Sequence, residues 1–234
     1  MSFSTTGNTF YNAQTLATSF ANVVISGANT AYLKVEDVTF QGTVSGYTSG
    51  GTISPGPGVV NVIDKFPFAT NSNATDVGDL TVAIQTSAGQ SSSASGYTSG
   101  GNSGPPISSN TIDKFPFATN SNATDVGDLT VARYLPAGQS STVSGYTSGG
   151  IPGPYNVIDK FPFATNSNAS DVGDLSVARG YGAGQSSTVS GYTSGGSTPI
   201  SINTIDKFPF ASDSNATDVG DLTVARMAAT GQQN

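Results

Sequence analysis

Apolar and polar residues alternate over short runs along most of the chain, which is the pattern typical of β-strands. Between Val62 and Phe68 the even-numbered residues share one face, while Ile63 and Lys65 lie on the other. The segments GYTS, DLTVAR and AGQSS are also strand-like, and the glycine pair after GYTS indicates a turn. No window in the repeated part of the chain has the apolar spacing of about 3.6 residues that marks a helix. The sequence therefore predicts an all-β fold.

Two features limit these strands. Pro67 stands inside the run that ends at Phe68, and a proline cannot donate to a strand ladder. This strand is therefore predicted to lie at an edge of its sheet or to end at Pro67. The stretch ATNSNATDVGD is rich in Asn, Ser, Thr and Asp, which indicates a loop or a long turn.

The strand pattern recurs four times, and each unit carries three constant segments. SGYTSGG places tyrosines at Tyr47, Tyr97, Tyr146 and Tyr192, IDKFPFA places phenylalanines at Phe66, Phe115, Phe161 and Phe208, and DVGDL begins at Asp76, Asp125, Asp171 and Asp218. Successive phenylalanines are 49, 46 and 47 residues apart, and the length varies only in a Pro/Gly-rich segment after the glycine pair. Length variation confined to such a segment indicates a surface loop.

Three or four short strands in each unit of about 46–50 residues match the blade of a β-propeller. The predicted fold is therefore a small β-propeller of four repeats over residues 43–234. The segment TGQQ near the C-terminus matches the start of a connecting element whose remainder, TVSGYTSGG, lies in the first unit. Two arrangements fit this match: the ring closes within one chain, or the open end pairs with the next subunit to give a fibre.

Residues 1–42 do not match the repeat. Their two apolar runs, LATSFANVVI and AYLKVEDVTF, fit either a diverged fifth blade or cap, or an attachment segment. We therefore expect an N-terminal attachment or cap segment over residues 1–42.

Composition narrows the function. Of the 234 residues 10% are charged, and the net charge is −7. The chain has no basic patch for a phosphate backbone, so no nucleic-acid partner is expected. No stretch approaches the ~18 apolar residues of a membrane span, so no membrane insertion is expected. The first residues lack the positive and apolar regions of a secretory signal, which predicts synthesis in a cytoplasm.

Catalytic residue types are scarce. Histidine and cysteine are absent and Glu36 is the single glutamate, which leaves no His-based triad, imidazole metal site or cysteine nucleophile. Twelve of the fifteen acidic residues are aspartates that recur in every unit, in DK and at both ends of DVGD. A catalytic site is normally singular, so these aspartates are predicted to cap turns or to pair with the repeated Lys or Arg. The chain is not expected to be an enzyme.

The loop NSNATDVGD is the one candidate for a metal. It offers oxygen donors at Asn71, Asn73, Thr75, Asp76 and Asp79, and the other units repeat it. Oxygen ligands suit a hard cation such as Ca²⁺, but the loop lacks the DxDxDG spacing and the bidentate glutamate of common calcium loops. We therefore predict no metal site and no cofactor, with Ca²⁺ at this loop as the alternative.

The variable loops are predicted to form a binding face. They occur at the same place in every unit, so they should lie on one side of a ring, where recognition residues collect. Pro57, Pro106, Tyr155 and Pro199 mark these loops, and Tyr155 is their one aromatic residue, predicted to be exposed.

The order GYTSGG, IDKFPF, GDLTVAR resembles the kelch repeat over roughly residues 43–232. Kelch blades place a glycine pair after a strand, then a strand carrying an aromatic residue, then a strand leading to an arginine, here Arg133, Arg179 or Arg226. The chain lacks the kelch tryptophan, and Ile84 stands where the other units have arginine. The resemblance implies a propeller of kelch-like blades.

The GYTSGG and DKFPFAT modules are also similar to tandem repeats in virion-associated proteins of marine bacteriophages. This resemblance implies a virion structural protein, as a head decoration, tail-associated or fibre component acting in assembly or adhesion. Its partners would be other virion proteins or further copies of itself as a homo-oligomer, or a host-surface glycan. A lectin-like carbohydrate-binding propeller, with one weak site per blade, is the alternative.

Overall fold

The computed structural model describes residues 42–54, 58–104 and 107–233, together with four strands in residues 1–41. The chain forms two compact units, Met1–Gln41 and Gly42–Asn234. In the first unit β1 (Ser4–Thr5) pairs antiparallel with β2 (Asn8–Thr9), and β3 (Val23–Ser26) pairs with β4 (Tyr32–Val35). The rest of that unit lies outside the described residues, so its attachment or capping role stays a prediction.

The second unit contains one small sheet for each repeat. Sheet 1 consists of β5 (Ser45–Ser49), β8 (Val62–Pro67) and β9 (Thr75–Asp79), and β6 (Thr52–Ile53) pairs with β7 (Gly58–Val59) beside it. Sheets 2, 3 and 4 each have four antiparallel strands in chain order. Sheet 2 consists of β10 (Ala88–Ser91), β11 (Ser95–Ser99), β12 (Thr111–Pro116) and β13 (Thr124–Asp128), and sheet 3 consists of β14 (Ala137–Ser140), β15 (Ser144–Ser148), β16 (Val157–Pro162) and β17 (Ser170–Asp174). Sheet 4 consists of β18 (Ala183–Ser186), β19 (Ser190–Ser194), β20 (Thr204–Pro209) and β21 (Thr217–Asp221).

The described part of the second unit contains strands and no helix, which confirms the all-β prediction. No helix among the described residues has the length and apolar character needed to cross a membrane.

The constant segments explain the strand pairing. In sheet 2, Gly96 on β11 lies opposite Phe115 on β12, and the phenylalanine ring covers the glycine so closely that a Cβ there would overlap it. An aromatic ring that covers a glycine across two strands fixes their register. The same pairing recurs in all four sheets. The strand through IDKFPF ends at Pro67 and its equivalents, as predicted, although it is a central strand rather than an edge strand.

Two sequence predictions for the second half of each repeat are wrong. The segment TDVGD was predicted to belong to a loop, but it forms the last strand of every sheet. The segment LTVAR was predicted to be a strand, but it contains no strand residues in the units where it is described. Its alternation has another cause: Leu129 is buried in the core, while Thr130 and Arg133 bond to the next sheet.

Neighbouring sheets are held together at both edges. At one edge β10, β14 and β18 lie beside one another, and a Cβ on Gly138 would overlap the carbonyl oxygen of Gly89. At the other edge the Ala123 amide donates to the Asp79 carbonyl, with an N–O distance of 2.8 Å. The apolar core therefore lies between sheets, and both faces of sheets 2 and 3 are covered.

A column of left-handed residues runs along the stack. Thr86, Leu135, Tyr181 and Ala228 have φ angles of 55–60°. The amide of each of the last three donates to the carbonyl of the one before it, at 2.7, 3.0 and 3.0 Å. This uncommon backbone conformation is thus stabilised by the neighbouring repeat.

Candidate functional site

Each interface between sheets has one aromatic cluster. The Tyr97 ring of sheet 2 stacks on Phe163 of sheet 3 with ring centroids 4.8 Å apart, and it contacts Phe161 at 5.5 Å. Equivalent clusters join sheet 1 to sheet 2 and sheet 3 to sheet 4. The repeated phenylalanines of sheets 2, 3 and 4 therefore belong to the core between sheets.

A buried ion pair lies beside the aromatic cluster in two of the interfaces. Asp159 accepts hydrogen bonds from the Thr130 amide at 2.9 Å and the Thr130 hydroxyl at 2.7 Å. It also accepts from Arg133 at 2.9 Å, and both side chains are fully buried. Burial lowers the pKa of Arg133, and the charge of Asp159 opposes that shift. Asp159 of the DK segment therefore pairs with a repeated arginine, which is one of the two roles that the sequence predicted for the repeated aspartates.

The last interface repeats this arrangement. Asp206 accepts from the Ser176 amide at 2.9 Å and from its hydroxyl, and it forms a buried ion pair with Arg179. Arg179 also donates to the Gly195 carbonyl at 3.1 Å and to the Thr204 carbonyl at 3.0 Å. The guanidinium therefore joins the backbone of the next sheet as well as its carboxylate.

The first interface lacks the arginine. Asp113 accepts from the Thr81 amide at 2.9 Å and the Thr81 hydroxyl at 2.7 Å, and Ile84 occupies the arginine position. Asp113 is only 5% exposed. Desolvation raises the pKa of Asp113, and the hydrogen bonds from Thr81 partly oppose that shift.

A buried amide network completes the last two interfaces. The Gln139 amide nitrogen donates to the Ser148 hydroxyl at 2.9 Å, the Tyr192 carbonyl at 2.9 Å and the Thr193 hydroxyl at 3.0 Å. Gln90 makes the same three contacts in the preceding interface. Sequence reasoning did not identify these glutamines, although the recurrence of GQS next to TSGG was the available signal.

The residues of the calcium alternative make contacts within and between sheets. Asp76 accepts from the Gly78 amide at 3.1 Å, and the Asp79 amide donates to Asn122 of the next sheet at 3.1 Å. Asn71 and Asn73 are exposed. Among the described residues no group of three or more Asp or Glu is placed to hold a metal ion. The Asp79 backbone and the Asn122 side chain thus join neighbouring sheets, while the Asp76 carboxylate bonds within its own strand.

The predicted loop residues are only partly described. Pro57 and Pro106 lie outside the described residues. Tyr155 is half-buried instead of exposed, because its amide donates to the Gly150 carbonyl and its carbonyl accepts from Arg179. Pro199 is exposed, and its carbonyl accepts from Ser197 at 2.9 Å.

The two end faces of the stack are the candidate interaction surfaces. The leading face is the side of sheet 1 that carries Asp64, Phe66 and Phe68, and the trailing face is the side of sheet 4 that carries Tyr192, Leu222 and Arg226. Phe66 is 38% exposed and Phe68 is 53% exposed, whereas the residues equivalent to Phe66 in sheets 2, 3 and 4 are 5%, 1% and 1% exposed.

The trailing face is open in the same way. Arg226 is exposed, whereas Arg133 and Arg179 are 0% and 1% exposed. Leu222 and Tyr192 are half-buried, although their equivalents in sheets 2 and 3 are buried. The two end faces therefore present the two sides of the contact that joins neighbouring sheets inside the chain.

No protein-family model matches the chain, and a search of curated proteins gives no match.

Proposed function

We propose that this protein is a non-enzymatic structural component of a virion, as a head decoration, tail-associated or fibre protein acting in assembly or adhesion. One observation carries the non-enzymatic part: the repeated chemical groups of the chain join one sheet to the next. Asp159 and Arg133 are buried in the contact between sheets 2 and 3, and Gln90 is buried in the same contact. Repeated groups that are buried in the contacts between sheets have a structural role.

The surface supports the same proposal. With 10% charged residues and a net charge of −7, the chain relies on Ser, Thr, Asn and Gly for its contact with water. Repetition of one module gives a rigid body in which each unit contacts only its neighbours. Such a body suits a spacer or an adhesive component better than a catalyst, which needs one singular site.

The kelch-like propeller is the proposed finer architecture. Sheets 2 to 4 have the up-and-down order of four antiparallel strands found in propeller blades. Their AGQS strands lie next to one another from sheet to sheet, as the innermost strands of blades do. The TGQQ segment continues this row, because the Gln233 side chain accepts from the Ser186 amide at 2.7 Å. Closure of a ring would place the leading face on the trailing face.

Particles purified from a lysate of the encoding phage test the proposal. We expect peptides of this chain in density-gradient-purified virions at a fixed ratio to the capsid protein, and antibody labelling at one defined place on the particle. Recovery of the chain only in the soluble fraction of the lysate would reject the virion assignment.

A lectin-like carbohydrate-binding role is the second candidate, and the variable loops favour it. Ile53, Ile107 and Ile200 are 61%, 62% and 73% exposed in the variable loops of three units. Such residues provide one weak contact per unit, and repetition raises the overall affinity. Binding of the purified chain to a defined glycan on an array, together with its absence from virions, would favour this role over the structural one.

A further inference from the structure

The leading face carries the same residues as the internal interfaces, but no preceding sheet covers them. In sheets 2 to 4, the aspartate equivalent to Asp64 is buried and accepts hydrogen bonds from the preceding sheet. Asp64 is half-exposed, and Phe66 and Phe68 expose their rings. Ala74 is exposed as well, although its equivalent Ala123 is buried and donates to the preceding sheet.

The trailing face carries the matching groups. Thr223 and Arg226 stand where Thr130 and Arg133 bind an aspartate of the next sheet. Tyr192 stands where Tyr97 stacks on two phenylalanines. Both end faces thus keep the residues of an internal interface.

This retention is informative because stacked repeats that end in solvent normally replace their outer apolar residues with polar ones. Here Phe66 and Phe68 are 38% and 53% exposed on one face, and Leu222 and Tyr192 are half-buried on the other although their equivalents in sheets 2 and 3 are buried. The faces are also opposite in charge at the matching point, with a carboxylate at Asp64 and a guanidinium at Arg226.

We propose that the trailing face of one chain binds the leading face of a second copy, head to tail. The contact continues the internal stacking: Arg226 and Thr223 bind Asp64 of the next copy, and Tyr192 packs on its Phe66 and Phe68. Such a contact joins two different surfaces, so it produces an open fibre or a ring of several copies according to the rotation between them. The inference deepens the proposed structural role, on which it rests, by naming a second copy of the chain as the partner.

Charge reversal at one pair of residues tests the contact with purified full-length chains. We expect the molar mass of the wild-type protein, measured by light scattering over a dilution series, to rise from 23.5 kDa in multiples of that mass. Asp64→Arg and Arg226→Asp should each remain monomeric, because each variant sets like charges against one another at the contact. An equimolar mixture of the two variants should associate again, since each face then meets an opposite charge on the other chain.

Thr142→Arg and Thr142→Asp are charge-matched controls. Thr142 is exposed in the turn between β14 and β15, away from both end faces, so both variants should associate like the wild type. A wild-type chain that stays at 23.5 kDa at every concentration overturns the proposal and favours a ring closed within one chain. Reversed variants that associate like the wild type, or a mixture that stays monomeric, overturn it as well. The wild-type series stands alone if a variant fails to fold, and none of these results depends on the virion experiment.

Discussion

At the scale of single residues, position 84 decides the electrostatics of the first interface. Ile84 is 5% exposed and lies where Arg133 and Arg179 stand in the later units. Asp113 is therefore a buried carboxylate bonded to Thr81 but without the cation that its equivalents have. A buried carboxylate without a cation is the less stable arrangement, because desolvation disfavours its charged form.

The variant Ile84→Arg is expected to lower the pKa of Asp113, because a guanidinium within hydrogen-bonding distance favours the carboxylate. The folded-state pKa of Asp113 in the wild type lies above its unfolded value of about 3.9. Its contribution to stability is thus complete below the unfolded value and is lost as the pH rises through the folded value. In the variant the loss of stability with rising pH should disappear, or stability should increase with pH instead.

Carbon-13 NMR titration of the Asp113 carboxyl group measures its pKa. Urea unfolding between about pH 4 and pH 7, a range that begins near the unfolded pKa, measures how stability depends on pH. The double variant Ile84→Arg with Asp113→Asn is the control, since it keeps the arginine and removes the titrating group. An unchanged Asp113 pKa in the single variant would contradict the interpretation of Ile84.

At the scale of elements, backbone contact between the AGQS strands sets the spacing of the sheets. Gly138 on β14 lies against the Gly89 carbonyl of β10, and Gly184 on β18 lies against Gly138. A side chain at Gly138 or Gly184 has no room, because the nearest atom that it would meet is a backbone carbonyl oxygen.

The variant Gly138→Ala is expected to destabilise the compact unit Gly42–Asn234 by about 1–3 kcal/mol, the usual range for overpacking. Gly89→Ala is the matched control: it occupies the same position on β10, where an added Cβ meets no atom within 4 Å. It should change stability by no more than about 0.5 kcal/mol. Urea unfolding followed by circular dichroism measures both, and equal losses in the two variants would contradict close packing at Gly138.

The sequence predicts the elements unevenly, for physical reasons. GYTS, IDKFPF and AGQS are confirmed as strands because their composition and period-two patterns agree. TDVGD was missed because Asp and Gly are rare in strands, and here Gly127 packs against the backbone of Ser167 in the next sheet. LTVAR was misassigned because its alternation reflects contacts with two different sheets.

The interfaces could be predicted only in part. Recurrence predicted an architectural role for the aspartates, and charge predicted that they pair with Lys or Arg, as Asp159 and Asp206 do with arginine. The roles of Gln139 and Asn122 could not be read from the sequence, because a polar side chain in a repeated segment gives no sign of which neighbouring sheet it will meet. The solvent exposure of Phe66 and Arg226 likewise depends on how the sheets are stacked.

At the scale of the whole molecule, one internal unit should be removable. Deletion of residues 141–186 joins Ser140 to Ser187 and restores the sequence AGQSSTVSG at the junction. Asp206 should then accept from Thr130 and Arg133 in place of Asp159, since both aspartates make the same bonds in the intact chain.

This deletion variant is expected to fold with an all-β circular dichroism spectrum and to unfold cooperatively. Its urea m-value should be smaller by about a quarter, in proportion to the surface removed. Urea unfolding of the variant beside the wild type measures this change. An aggregated or unfolded variant would show that the units are not equivalent, contrary to the shared contacts.

Most side chains that join the sheets lie in the constant segments, and the variable residues that join them do so through backbone groups, so one unit can pack against any other. Unequal crossing-over between matching stretches of the gene therefore adds or removes one unit and leaves the remaining junctions complete. The span of the molecule can therefore change by one unit at a time over evolutionary time, and we expect a chain that gains or loses one unit to fold.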